Sequence, residues 1–255
     1  MNAPDDGAAT NPVAVVLSEL QTRLDALPPD LRAHAAFLST YRRTTQAVED
    51  AVRSQVFEDP SWVSAWDEAF ARLYLAALDA RISGQGRVPR PWRLAFQAPA
   101  TLPPLRHVLL GINAHINFDL PQALLAVIPD SDFTDPDVVD RRRRDHSRID
   151  GVLSGRVAAE DAQLSTSSTR SLMDRLLQPL NRYASRRILR EARTKVWHNT
   201  LQLRDARARG PAALASQLAE LEVLSAARIA DLTAPGQVLL RLAISGFGVL
   251  LPPPD

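Results

Sequence analysis

Five histidines and no cysteine are present, so catalytic or metal chemistry in this chain has to be built from His, Asp, Glu and hydroxyl groups. One unusual polar grouping lies between His107 and Leu125, where Asn113, His115, Asn117 and Asp119 interrupt an otherwise apolar run. At about 100° per residue, positions 115 and 119 stack on one flank of a helix, so an imidazole nitrogen and a carboxylate oxygen converge either on one ion or on each other. A buried carboxylate without a partner costs on the order of several kcal/mol, so one of the two arrangements is required. As a metal pair, His115 and Asp119 suit a divalent cation such as zinc. As a structural pair, Asp119 orients His115 inside the core. Asn113 stands beside them as a supporting group, and His107 turns toward the more polar side, as a solvated or supporting histidine.

Two further carboxylates fall on apolar helix faces. Asp145 lies in the stripe of Val138, Ile149 and Val152, with His146 at its edge, and Asp67 lies within the arc of Trp62, Trp66, Phe70 and Tyr74. Either could complete a metal shell or act as general base toward a metal-bound water. The bland reading of Asp145 is an ion pair with Arg148 or with one of Arg141 to Arg144. Those four arginines spread around a helix and read as a solvated face. No P-loop, dinucleotide fingerprint, nucleophile elbow or H-E-x-x-H occurs, and the E-x-x-H pairs of helical di-iron proteins are missing too.

The elements that would position these groups are helical. Apolar residues recur at helical spacing almost throughout, and alternating runs are scarce, which predicts an all-α fold of about eight helices in a bundle-like arrangement. Asn11 and Pro12 open the first helix, which Pro28 and Pro29 stop; Asp30 caps a second carrying Phe37, Leu38, Tyr41, Thr45, Val48, Val52 and Val56 on one side; Asp59 and Pro60 open a third, from about Trp62 to Ile82. Ser83 to Pro104 reads as a long Pro-rich loop packed through Trp92 and Phe96. The fourth helix runs from Leu105 to Ile128 and the fifth from Asp137 to about Leu153, and Gly155 to Ser168 forms a connection. Thr169 to Arg209 is a long helical stretch that Pro179 should break, with inward Val196 and Asn199 and off-stripe Trp197 and His198, ending at Gly210. Pro211 to Asp231 and Pro235 to Leu251 complete the set, the last being too short and too interrupted by Arg241 to span a bilayer.

Thirty basic against 29 acidic residues give a net charge of +1, which argues against nucleic acid as a main partner. Lys195 is the only lysine, a bias that fits a GC-rich coding background. Without cysteine there is no disulfide framework, and Met1 to Pro12 carries two aspartates and no apolar run, so a cytoplasmic location is expected. Residues 1–10 read as a disordered tail and 11–251 as one domain.

The segment HVLLGINAHINFDLPQALL, His107 to Leu125, resembles the signature of an uncharacterised bacterial family with a G-[IM]-N-A-H-I-x-x-D-L core. Supporting matches are Phe37, Tyr41, Thr45, Asp67, Phe70, Tyr74, Asp145, Arg193 and Trp197, spread over most of the chain. The resemblance implies a helical domain, adds Tyr74 and Arg193 to the supporting groups, and brings no established activity. His115 and Asp119 alone also resemble the H-x-x-x-D zinc pair of the helical zinc phospholipase C and P1 nuclease group. Two functions therefore stand open. One is a metal-dependent hydrolase, of phosphoester type, acting on a small-molecule substrate. The other is a non-catalytic helical module whose buried polar cluster is structural and whose Trp92 to Phe96 segment covers an apolar ligand pocket.

Overall fold

A computed structural model describes residues 12–164 and 194–233. Among them the secondary structure is helical, without strands: α1 Pro12–Asp25, α2 Ala35–Arg53, α3 Pro60–Ser83, α4 Arg90–Phe96, α5 Pro104–Ala114, α6 Leu120–Val127, α7 Pro136–Leu164, α8 over 194–209 and α9 Pro211–Thr233. No helix among the described residues is long and apolar enough to cross a membrane. The sequence signals account for several boundaries. Asp59 accepts the Trp62 N–H at 3.0 Å and Pro60 occupies the first turn of α3, where a missing N–H costs nothing. Gly84 ends that helix at φ 69°, and Gly210 at φ 112° separates α8 from α9, both in backbone regions that side chains disfavour.

The described residues form two large apolar cores and a smaller cluster of Phe118, Leu125, Leu203 and Leu221. The first gathers Val16 and Leu20 of α1, Phe37 and Leu38 of α2, Tyr74 and Leu78 of α3, Trp92 and Phe96 of α4, Leu110 of α5 and Ile229 of α9. The second gathers Val48, Trp62, Trp66, Leu124, Ile149, Val196 and Trp197, so it is built from α2, α3, α6, α7 and α8. Helices α2 and α3 contribute to both, which makes their shared face the place where the two cores meet.

Several expectations need correction. The Pro-rich stretch packs through Trp92 and Phe96 but is not a loop throughout, because Arg90–Phe96 forms α4 with Pro91 in its first turn and Trp92 completely buried. Asp30 does not cap α2; it lies in a 3₁₀ turn, Pro29–His34, and pairs with Arg81 instead. Val56 lies beyond the end of α2 and is exposed. Helix α7 runs on to Leu164, past the connection expected from Gly155. Trp197 is buried in the second core, not off the inward stripe. The expected helix break at Pro179 and the expected helix Pro235 to Leu251 fall outside the described residues.

The predicted fourth helix is interrupted. His115–Asp119 forms a π turn between α5 and α6, with the Leu120 N–H reaching back to the His115 carbonyl. Pro121 supplies the physical reason, since within an unbroken α-helix its ring would press on the carbonyl four residues earlier and its missing N–H would leave that carbonyl unpaired. Upstream, Gly111 lets α5 approach α2. A Cβ at Gly111 would lie 2.3 Å from the Phe37 ring, a side chain itself 2% exposed. Replacing Gly111 by Ala should therefore destabilise by about 1–3 kcal/mol despite the better helix propensity of Ala. Adding Phe37→Leu should give a double variant less destabilised than the sum of the two single changes, as denaturant titration of all three would measure.

Candidate functional site

The π turn presents His115 and Asp119 to the first core. His115 Nδ1 lies 2.8 Å from Asp119 Oδ2, and the same oxygen accepts the Trp92 indole N–H at 2.7 Å. Burial lowers the His115 pKa, outweighing the opposing pull of Asp119, and burial also raises that of Asp119 against the donors that hold it. A neutral ring beside a carboxylate oxygen places its proton on Nδ1, which leaves Nε2 as an acceptor that has no hydrogen-bond partner. Aromatic rings enclose this imidazole. Phe70 stacks on it at 3.5 Å between centroids and 6° between planes, Tyr41 meets it edge-on at 4.5 Å, and Phe37, Tyr74 and Trp92 close the remaining sides.

A second histidine shares that aromatic setting. His34 Nε2 lies 3.1 Å from the Tyr74 hydroxyl, among Phe37, Trp92 and Phe96, and burial pushes its pKa down to about 3. Sequence reasoning passed over His34. The signal was present, because Leu31, His34, Phe37, Leu38 and Tyr41 follow helical spacing within the helix expected from Asp30. Tyr74 thus supports His34 by hydrogen bond and His115 by ring contact.

The other nominated residues are dispersed. Asp145, fully buried, accepts the backbone N–H groups of Glu58 and Asp59 at 2.8 Å each and the Arg148 guanidinium at 2.6 Å, so it ties α7 to the turn before α3. Asn113 donates to the Leu109 carbonyl and accepts from Asn117. His107 is buried against the Pro99 backbone, which removes the solvated alternative of the two expected for it. His146 is buried between Trp66 and Trp197. Of the arginine run, Arg142 turns inward over Trp62 and reaches Asp132 and Asp59, so that run is not uniformly a solvated face. Arg193 falls outside the described residues. Among those described, no group of three or more His, Asp or Glu side chains is placed to hold a metal ion.

Asp67 lies on the shared face of α2 and α3. Burial and the neighbouring Glu49 carboxylate raise its pKa to about 7, and its Oδ2 accepts no hydrogen bond. A carboxyl whose pKa rises on folding favours the fold below its unfolded value near 3.8 and loses that advantage as pH climbs toward 7. Asp67→Asn should therefore be roughly neutral at pH 4 and stabilising at pH 8, by up to about 4 kcal/mol, as urea unfolding at the two pH values would test. The Asp119 junction predicts the opposite sign. Asp119→Leu strands two buried donors and should cost about 2–5 kcal/mol, most of it recovered when His115→Phe and Trp92→Phe are added, and thermal unfolding of the series would show whether the three side chains act as one unit.

No curated protein and no solved structure matches the chain. A family model does, over residues 13–235, from the second residue of α1 to just beyond the end of α9. That span takes in the π turn, the aromatic setting of both histidines and the Asp145 tie, and with it the chain belongs to the family of unknown function DUF5995.

Proposed function

We propose that the chain is a non-catalytic helical binding module in which the buried His115–Asp119–Trp92 junction fixes the packing of the interrupted fourth helix. The supporting observation is the commitment of Asp119. One of its oxygens already receives both the imidazole and the indole N–H, and a carboxylate engaged in this way orients its partners instead of ligating a cation with them. A metal-dependent hydrolase, phosphoester-type or other, would need a third ligand and a base near the same point. Asp145 is spent on the backbone N–H groups of Glu58 and Asp59, and Asp67 has Tyr41 and Glu49 as its electrostatic neighbours. In the zinc reading Asp119 would instead be the group that holds His115 while Nε2 takes the ion, an arrangement known at metal centres. That reading has one donor to offer. Trp92 and Phe96 stack at 5.4 Å within the first core.

The decisive measurement is metal content together with chelator response. Purified protein should contain no stoichiometric zinc or other transition metal, and its melting temperature should be the same with and without EDTA. A stoichiometric metal, with a melting temperature that EDTA lowers to that of a His115→Phe variant, would overturn the binding-module reading in favour of the hydrolase.

A further inference from the structure

The shared face of α2 and α3 holds a lane of polar groups whose carboxyls and hydroxyls the junction at Asp119 does not use, although the Tyr41 and Phe70 rings beside them also enclose His115. Tyr41, Thr45 and Glu49 follow one another at intervals of four on α2, so they line one side of that helix, and Asp67 and Phe70 face them from α3. Asp67 is 8% exposed, and no basic side chain pairs with it among the described residues. Thr45 is fully buried and its hydroxyl has no partner, although Thr40 and Thr44 on the same helix return theirs to the carbonyls four residues back. The Tyr41 and Thr45 hydroxyls are neighbours, and neither has a partner in hydrogen-bond geometry. The Tyr41 and Phe70 rings meet edge to face at 6.1 Å beside them.

A buried carboxyl lacking a cation, a second carboxylate close by, a free hydroxyl and two aromatic rings form a consistent set. The carboxyl oxygens and the hydroxyl accept hydrogen bonds, and the ring faces attract a weakly hydrated positive charge. We propose that Asp67, Thr45, Glu49, Tyr41 and Phe70 form a receptor site for a small protonated amine. The ammonium donates to Asp67 Oδ2 and Thr45 Oγ1 and lies against the rings, with the Glu49 carboxylate, itself paired with Arg53 at 3.0 Å, close by. An ammonium fits better than a metal ion because three donor hydrogens and an aromatic wall suit it, whereas a metal would ask for the convergent ligand group that the described residues lack.

This inference rests on the binding-module reading and gives it a ligand class, yet the two fail separately, since metal content decides the first and amine response the second. The test is the melting temperature of the full chain in methylammonium chloride against sodium and potassium chloride at matched ionic strength. Methylammonium should raise the wild-type value by about 2–4 °C above either alkali salt near saturation. Asp67→Asn should abolish that difference and Thr45→Val should remove at least half of it. Equal melting temperatures in the three salts, an effect reproduced in full by potassium, or an undiminished response in Asp67→Asn would each overturn the proposal. Should Asp67→Asn not fold, Thr45→Val decides alone, an undiminished response again overturning it.

Discussion

Asp119 is the constraint on which the arrangement of the first core depends. It is a charged group in a place where charge is costly, and two neutral donors from different segments of the chain offset that cost at a single oxygen. One donor, Trp92, belongs to α4; the other, His115, opens the π turn. Holding both fixes where the short α4 sits against the interrupted helix, and through Trp92 it sets the rings of Phe37, Tyr74 and Phe96 around His34. A seven-residue helix has little intrinsic stability in water, so α4 owes its place to this burial and this bond.

The same logic of buried polar ties recurs at Asp145, with a different consequence. There the acceptor serves backbone N–H groups in the turn preceding α3, groups that a helix start leaves without partners. Arg148 and Arg144 then gather around Glu58, so the turn, α7 and the start of α3 form one charged assembly at the edge of the second core. Each core is thus anchored by one aspartate, and the helices common to both, α2 and α3, carry the polar lane between them.

Much of this was legible in the sequence because it depends on spacing. The stacking of His115 over Asp119, the burial of Asp145 and Asp67, the cap at Asp59 and the glycine at 210 all follow from helical periodicity or local backbone chemistry. What was not legible depends on partners distant in the chain. Nothing near position 119 announces that Trp92 will donate to it, and nothing near position 145 announces the N–H groups of residues 58 and 59. Helix α4 was hidden because its prolines were read as breakers, although Pro91 sits where a helix tolerates it. His34 was hidden because a histidine with a pKa near 3 behaves as an aromatic core residue, while its composition class suggests a surface one.

The π turn has a further meaning when it is viewed as a change of phase. An inserted residue advances every later side chain by roughly a quarter of a turn relative to an unbroken helix. Upstream of it, Leu110 and Ala114 address the first core, and downstream Leu120, Ala123 and Leu124 address the second. A continuous helix of this length would keep one stripe facing one neighbour along its whole run. The extra residue instead lets a single rod serve the two large compartments in succession, with the histidine and aspartate at the point where its allegiance changes.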